Sequence, residues 1–352
     1  MYTDVRIIKN IMRPTIKDIA KIAGVNISTV SRSLNGSNLI SEQTKERILK
    51  IAKELDFEFN TIAQNLSTKH SNVIGVIYPE DADRFALGLF LATMLNNIRV
   101  KLEQKSYFTI LASSENQYNK QSNIKKMING LNIDGLILIN WLLEDEDWEC
   151  IKSRKIPHVF LHHIPKYSDK STLVVTDNFL GGSLAAKHLL SLGHRNILCL
   201  ASKDNGKEFK LRTEGYISEF KKESIELDLK NIIYGDHTYD FAYRQTLKLK
   251  KQLQGKKYSA IFALSDVMAL GVLKACTEMG INIPDDISLI GYDGLDIGSI
   301  LHPKLTTIKQ PVDDLVEEAC RSLLYQIRKN KTEIKKILLP PSLVEGKTCK
   351  SI

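Results

Sequence analysis

The chain has 352 residues and carries 49 lysines and arginines against 41 aspartates and glutamates, which gives a formal net charge of +8. This length can bury a large core and predicts two or three domains. No apolar run reaches membrane-spanning length, and the first residues, MYTDVRIIKNI, lack the apolar core and cleavage site of a signal peptide, so the sequence argues against a membrane protein and an exported protein.

The basic residues are densest near the N-terminus. Residues 1–70 hold 11 basic and 7 acidic side chains, whereas the much longer remainder holds 38 and 34. A local excess of positive charge favours a partner that carries phosphate groups at that end. The five cysteines lie far apart without the spacing of a metal site, so we interpret them as reduced thiols of a cytoplasmic protein and expect no metal and no cofactor.

The first predicted helix starts at Thr15, whose hydroxyl can cap it with Asp18 as the capping-box partner, and it ends at Gly24. Its apolar residues recur at i, i+3, i+4 and i+7, which predicts one buried stripe. That stripe consists of Ile16, Ile19, Ala20 and Ala23. The helix is short, so it must pack against neighbours to be stable.

A second helix is predicted after the N-cap Asn26, with Val30 and Leu34 directed inward and Asn35-Gly36 as its end. A third begins at Ser41 and buries a second apolar stripe, namely Ile48, Ile51, Ala52 and Leu55. Two helices joined by a tight glycine turn and braced by a third are typical of a helix-turn-helix unit, which presents its second helix to the DNA major groove.

Beyond Ser71 the pattern changes to strands that alternate with helices, which indicates parallel sheets in an α/β architecture. The predicted strands are Val73–Tyr78, Phe108–Ala112, Gly135–Asn140, His158–His162, Leu173–Thr176, Asn196–Ala201, Ala260–Ala263 and Ile287–Gly291. The predicted helices lie near residues 90–105, 179–192, 208–222, 239–254, 265–279 and 312–328.

Several sequence blocks resemble the lactose/galactose repressor family of bacterial transcription regulators. They are TIKDIAKIAGVNISTVSRSLNG, SEQTKERILKIAKELDF, NTIAQNLSTKHSNVIGVI, DNFLGGSLAAKHLLSLGHRNI, FALSDVMALGVLKA, PDDISLIGYDG and LTTIKQP. Their order and spacing follow the family from Thr15 to about Thr348.

The resemblance implies three parts in one α/β chain. They are an all-α helix-turn-helix domain at residues 14–59, a hinge helix and linker at 60–71, and a two-lobed core similar to periplasmic binding proteins at 72–350. The chain should cross between the lobes near residues 172, 303 and 337. We expect a homodimer, because the sequence lacks the C-terminal heptad helix that makes some family members tetrameric.

For DNA, the resemblance points to the exposed start of the second helix, where Ile27, Ser28 and Arg32 can read base edges. The spacing of Ile27 with Val30 and Leu34 also allows a core position for it, and Arg32 could instead bind phosphate. Positioning contacts with the phosphate backbone are expected from Thr15, Lys17, Ser31, Asn35 and Thr44.

The segment Asn60–Lys69 resembles the family's hinge helix, in which Leu66 would insert between base pairs of the minor groove and Ala63 would contact the second copy. A linker leucine that packs on the core is the other interpretation. The chain departs from the family pattern here, since Phe59 replaces a proline and Gln64 replaces an arginine.

For a small-molecule effector, Arg212 and Asp293 match the positions that bind ligand hydroxyls between the lobes, because a guanidinium and a carboxylate pair with vicinal diols. Further cleft positions are Phe90, Asn140, His162, His237 and Ser265. Asp266 and the pair Asp177-Asn178 are expected to serve helix starts. His162 stands where the family often has aspartate, and two histidines could answer to an acidic sugar or a sugar phosphate.

Enzyme motifs are missing: there is no Walker loop, no GxGxxG, no HExxH and no GxSxG elbow. We therefore interpret the chain as a repressor of sugar uptake or catabolism genes that binds a palindromic operator and is released by a sugar-like effector. One alternative is a sugar-binding protein that does not bind DNA, which would not need residues 15–67. Another is a repressor that uses a purine or a phosphoprotein as corepressor.

Overall fold

A computed structural model describes residues 14–34, 37–57, 70–79, 85–139, 142–203 and 206–352, without the side chains of residues 85–87 and 89. The chain separates into two compact units, Met1–Ser71 and Asn72–Ile352. All five cysteines are free thiols. Among the described residues, no helix combines the length and apolar character that crossing a bilayer requires.

The described part of the first unit contains three helices, α1 (Ile16–Ala23), α2 (Ile27–Leu34) and α3 (Glu42–Glu54). The Asp18 carboxylate accepts hydrogen bonds from the backbone N–H (2.8 Å) and the hydroxyl (2.6 Å) of Thr15, and Gly24 closes α1 with a φ of 62°. The shared core holds the predicted inward residues, namely Ile19, Ala20, Ala23, Val30, Ile48, Ile51, Ala52 and Leu55. Three short helices therefore stabilise one another through a common apolar centre.

The second unit contains two sheets. Its strands are β1 (Val73–Tyr78), β2 (Phe108–Ser113), β3 (Gly135–Leu138), β4 (His158–Leu161), β5 (Thr172–Thr176), β6 (Ile197–Ser202), β7 (Ile232–Gly235), β8 (Ala260–Ala263), β9 (Ser288–Asp293), β10 (Thr306–Lys309), β11 (Lys335–Leu339) and β12 (Ser342–Val344). The longer helices between them are α4 (Phe85–Glu103), α5 (Asn123–Gly130), α6 (Asp145–Ser153), α7 (Asn178–Ser191), α8 (Lys207–Lys222), α9 (Tyr239–Lys248), α10 (Lys250–Gln254), α11 (Asp266–Met279), α12 (Asp296–Ile300) and α13 (Val312–Lys329).

Lobe 1 is built on six parallel strands in the order β11-β5-β4-β3-β1-β2. Helices α4 and α13 cover one face and share a core with Ile74, Val76 and Leu323, whereas α5 and α6 cover the other face around Trp148 and Phe160. The central strands are continuous apolar runs because both of their faces are buried.

Lobe 2 has the order β12-β10-β9-β8-β6-β7, in which only β12 runs antiparallel to its neighbour. The chain end beyond β12 returns to this lobe: the Leu289 N–H donates to the Thr348 carbonyl at 2.7 Å, and the Ile352 N–H donates to the Leu192 carbonyl at 3.0 Å. The predicted α/β fold class, with a helical N-terminal unit and a two-lobed core, is confirmed.

The crossings between the lobes lie later in the chain than predicted. They fall after β5, after β10 and between β11 and β12, close to residues 177, 310 and 340, where 172, 303 and 337 were expected. The positions 303 and 337 were too early because strands β10 to β12 were not predicted, and the position 172 was too early because it preceded the predicted strand at β5. Those strands are short or carry charged residues, so they lack the long apolar run of a central strand.

Candidate functional site

Helix α2 presents the residues expected to face DNA. Ile27 is 46% exposed, so the core position that its spacing allowed is wrong. Ser28 and Arg32 are exposed beside it, and Ser31 is half-buried. Because Val30 holds the opposite face of α2 in the core, the exposed face is free to enter a groove.

Residues at two other helix starts flank this surface. Thr15 and Lys17 are exposed at the start of α1, and the half-buried Thr44 shares a 2.9 Å hydrogen bond between its hydroxyl and that of Ser41. The hydrogen bonds from Thr15 keep the pKa of Asp18 below its usual range, so a negative carboxylate lies beside the Thr15 hydroxyl. That charge makes Thr15 a poorer phosphate contact than Lys17.

Four of the predicted site residues lie outside the described residues. They are Asn35, Ala63, Leu66 and Asn140. The DNA hinge predicted at 60–71 also falls almost wholly outside them.

In the second unit, the other six predicted effector residues line one cavity of about 60 Å³ between the lobes. They are Phe90, His162, Arg212, His237, Ser265 and Asp293. Most of them follow the carboxyl ends of parallel strands, where α/β sheets bind ligands. Small-molecule sites usually measure about 300–1,000 Å³. This cavity alone is smaller than such a site, but Phe90 and Asp293 also line a neighbouring cavity of about 450 Å³.

Arg212 is held in the cavity wall by hydrogen bonds, an ion pair and an aromatic ring. It is 3% exposed, and its guanidinium donates to Asn178 Oδ1 at 2.8 Å and to the Leu264 carbonyl at 2.7 Å. Its Nη1 also lies 3.3 Å from Asp293 Oδ1, and the Tyr292 ring centroid is 3.7 Å from its Cζ. These contacts fix the guanidinium before any ligand arrives.

Asp293 is connected through hydrogen bonds to two of the three crossings, those after β5 and β10. Gln310, which follows β10, donates from Nε2 to Asp293 Oδ1 at 2.8 Å and accepts from the Thr176 hydroxyl at 2.7 Å. Burial raises the pKa of Asp293, and the Arg212 charge opposes that rise. Thr176 lies at the end of β5, so a chain of hydrogen bonds runs from Asp293 through Gln310 to two of the segments that join the lobes.

A histidine pair and a carboxylate occupy the other end of the cavity. The Ile164 N–H of lobe 1 donates to Glu208 Oε1 of α8, and His163 Nδ1 lies 3.6 Å from the same oxygen. Burial would raise the pKa of Glu208, but the hydrogen bonds from His163 and Ile164 lower it overall. Glu208 is therefore an ionised, buried carboxylate that bridges the two lobes.

His162 contributes an uncharged imidazole. Burial, followed by the neighbouring His163 and Arg212, holds its pKa well below the usual range. Its ring lies 4.7 Å from that of Phe90, and its Nδ1 has no hydrogen-bond partner among the described residues. A buried, unsatisfied ring nitrogen in a cavity wall can bind a ligand hydroxyl.

The expected helix-capping role of Asp266 is wrong. Ser265 caps α11 by accepting the Met268 N–H at 3.2 Å, so its oxygen is already engaged although it lines the cavity. The Asp266 carboxylate instead accepts from the Thr307 hydroxyl at 2.6 Å and the Leu295 N–H at 2.7 Å. Burial and the neighbouring Asp293 raise the pKa of Asp266 to about 8.

The other helix-start expectation is correct for Asp177, which caps α7 by accepting the Leu180 N–H at 3.0 Å. Asn178 serves Arg212 instead. Sequence reasoning also missed Gln310, His163 and Glu208 as site residues. Gln310 stands inside the motif LTTIKQP, which could have identified it, whereas no sequence pattern pairs Glu208 with a histidine forty-five positions earlier.

Comparisons with known proteins give matches in both units of the chain. Residues 15–60 match the bacterial regulatory proteins of the lacI family, and residues 186–349 match a periplasmic binding protein-like domain. The transcriptional regulator DegA of Bacillus subtilis (strain 168) is 30% identical over 340 residues, covering 95% of this chain and 97% of that protein. The transcriptional repressor PurR of Vibrio vulnificus (strain CMCP6) is 29% identical over 339 residues, covering 96% and 99%.

Solved structures of similar architecture contain DNA or a sugar. The lac repressor dimer bound to operator and the anti-inducer ONPF has a TM-score of 0.78 and 28% identity, covering 97% of this chain and 100% of that one. The transcriptional regulator CelR in complex with cellobiose has a TM-score of 0.69 and 26% identity, covering 96% and 100%.

The relatives are transcription regulators, so the exclusion of an enzyme is confirmed. The helical unit has exposed residues along one face of α2, and the two-lobed unit encloses a cavity lined by a guanidinium and a carboxylate. With matches along nearly its whole length, the chain belongs to the LacI family of bacterial regulatory proteins and is a DNA-binding transcriptional repressor with a ligand-binding domain.

Proposed function

We propose that the chain represses genes of sugar uptake or catabolism as a homodimer on a palindromic operator, and that a neutral sugar-like molecule between the lobes releases it. The observation that carries this proposal is the buried pair Arg212 and Asp293, which offers paired donors and acceptors to vicinal hydroxyls. The protein acts where the operator is, in the bacterial cytoplasm.

The charges of the cavity favour a neutral ligand over an anion. His162 is uncharged, and the ionised Glu208 would repel an acidic sugar or a sugar phosphate. The earlier idea that the histidines bind an acidic ligand through their charge therefore loses its support at His162. The similar structure that contains cellobiose supports a neutral sugar as the ligand class.

Release follows from contacts that differ between the open and closed lobes. The Ile164 N–H bond to Glu208 and the Thr176 bond to Gln310 both join segments that a changed lobe angle would separate. A ligand that binds one lobe angle more tightly shifts the population towards it. We propose that this shift moves the two hinge segments at residues 60–71 apart, so that Leu66 and Ala63 of each copy leave the minor groove.

The test is operator binding of the full chain, measured by fluorescence anisotropy in the presence of neutral sugars, sugar acids, sugar phosphates and purines. The operator is first obtained by selection from random DNA. A neutral sugar that weakens operator binding is the expected result. A purine that tightens operator binding would show that the effector is a corepressor and not an inducer. If no compound changed operator binding, a sugar-like effector would be contradicted.

Variants then assign the response to the cavity. Arg212→Ala and Asp293→Asn each remove a hydroxyl-binding partner and should weaken ligand binding by about 1–3 kcal/mol while operator binding persists. Glu226→Gln changes an exposed charge of the same lobe and is the matched control. An unchanged ligand response in both cavity variants would place the effector elsewhere.

A further inference from the structure

Four lysines from both lobes line a second groove of about 550 Å³. Lys207 and Lys210 lie on α8 of lobe 2, and Lys335 and Lys336 lie on β11 of lobe 1. This volume falls within the usual range of small-molecule sites, about 300–1,000 Å³. Like charges from two lobes that meet at one groove repel each other unless an anion lies between them.

The acidic residues of the groove neutralise only part of this charge. Asp169 and Glu214 also line it, and Lys210 Nζ lies 3.8 Å from Glu214 Oε1. The other three lysines make no ion pair with any residue in the described part of the chain. The groove therefore keeps an excess of positive charge.

A buried hydroxyl supplies an independent indication of a ligand. Ser171 precedes β5, lines the groove and is 1% exposed, yet its Oγ has no hydrogen-bond partner among the described residues. Buried polar groups are normally satisfied, and an unsatisfied one calls for a partner. A ligand oxygen that reached this buried hydroxyl from the groove would accept a hydrogen bond from it.

The rest of the lining is aliphatic. Leu173 and Leu211 form part of the wall, and Ile334 leaves 72% of its surface exposed at the rim. A ligand with an apolar body would cover this isoleucine while its charged end meets the lysines.

We propose that this groove binds a small organic anion with an apolar body, a carboxylate or a phosphate monoester, as a second ligand beside the one in the effector cavity. The two sites share no lining residue. They are nevertheless adjacent along the chain, because Ile164 and Lys207 of the groove adjoin His163 and Glu208 of the cavity. The hydrogen bond from Ile164 to Glu208 connects them, so an anion in the groove biases the same lobe angle as the effector.

The experiment titrates the full chain with phenyl phosphate, benzoate and benzyl alcohol by isothermal calorimetry. We expect saturable binding of one molecule per chain for at least one of the two anions and none for the alcohol. Binding of only one anion identifies the preferred head group. No saturable binding of either anion into the millimolar range overturns the proposal, and so does equal binding of the alcohol.

Variants locate the anion. The double variant Lys210→Met, Lys336→Met should weaken binding at least tenfold, and Ser171→Ala should weaken it separately, whereas Lys251→Met on α10 should not change it. Loss of anion binding in Arg212→Ala alone would place the anion in the effector cavity and overturn the proposal. So would lysine variants that change only the oligomeric mass, since the groove would then face a second copy. Operator release by sugars is measured separately, so either proposal can fail alone.

Discussion

At the scale of single residues, His162 lines the proposed effector cavity without adding a charge to it. It follows β4 with a φ of 72°, a conformation that is uncommon outside glycine and in which asparagine, aspartate and histidine are enriched. This backbone turns the imidazole into the cavity, where burial keeps it neutral. The cavity therefore gains a hydrogen-bonding group without gaining a positive charge.

The neutral imidazole makes stability depend on pH. Its pKa is depressed in the folded chain, so its contribution is complete above the unfolded value of about 6.5 and is lost as the pH falls towards the folded value. His162→Asn keeps a residue that tolerates positive φ and should reduce the fall in melting temperature between about pH 7 and pH 5. Thermal unfolding followed by circular dichroism at each pH measures the melting temperature.

Part of the pH dependence should remain in that variant, because burial also lowers the pKa of His158, His188 and His194. The control is His302→Asn, which makes the same replacement at an exposed histidine. An identical pH profile for wild type and His162→Asn would show that His162 does not contribute.

Arg32 is the residue on which DNA specificity can be tested. It is exposed on α2, and a guanidinium can bind guanine bidentately. Arg32→Ala should weaken binding to the selected operator by about 1–3 kcal/mol and affect random DNA little. Lys17→Ala, on the neighbouring helix, should weaken binding to both DNAs alike. Equal loss on both DNAs in Arg32→Ala would reassign Arg32 to phosphate.

At the scale of elements, helices α7 and α8 approach each other through glycines. A Cβ at Gly182 would lie 1.8 Å from the Arg212 carbonyl oxygen, and one at Gly215 would lie 1.9 Å from the Phe179 carbonyl oxygen. Only glycine permits this backbone contact. The contact places the turn of α8 that carries Arg212 against α7, where Asn178 receives its guanidinium.

Gly182→Ala should therefore force the two helices apart. Such overpacking usually destabilises by about 1–3 kcal/mol, and it should also weaken effector binding, because Arg212 moves with its helix. Denaturant unfolding and ligand titration measure the two effects. Gly130→Ala at the end of α5, where a Cβ meets nothing within 4 Å, is the matched control and should not destabilise. Equal stability of the two variants would contradict this account of the helix contact.

The elements also show how far the sequence predicts the structure. Helices α1 to α3 and strands β1 and β8 were predicted well, because caps and apolar periodicity mark them locally. Strands β7, β10, β11 and β12 were missed, since edge or crossing strands are short or partly exposed. Their positions depend on pairing with strands distant in sequence.

The same distinction applies to the effector cavity. Arg212 and Asp293 were found through motifs, and the structure brings them within 3.3 Å. The contacts of Glu208 with lobe 1 and of Gln310 with Asp293 depend on how the lobes meet, which no local pattern records. Sequence thus predicted the residues that line the cavity better than the residues that connect the two lobes beside it.

At the scale of the whole molecule, strand β2 offers an open edge for the proposed homodimer. It is the last strand of its sheet, with Phe108 64% and Leu111 46% exposed. Exposed apolar side chains on a sheet edge favour association with another copy.

Phe108→Asp together with Leu111→Asp should shift the chain towards monomer, because burying two carboxylates in an apolar contact is unfavourable. Operator binding should weaken in parallel, and sedimentation velocity measures the mass. Ile300→Asp changes an even more exposed apolar residue of lobe 2 and should leave the mass unchanged. A double variant that remains a dimer would place the dimer contact elsewhere.

Residues 335–352 complete both lobes, so neither lobe can finish folding before they have been synthesised. Helices α1 to α3 are synthesised before the two-lobed core. Lobe 1 cannot be completed before β11 is made, and lobe 2 cannot be completed before β12 and the segment that pairs Thr348 with Leu289. A nascent or prematurely terminated chain therefore contains the helical N-terminal unit without a completed ligand-binding domain. Control by a ligand therefore requires a chain that extends through β11, β12 and the segment around Thr348.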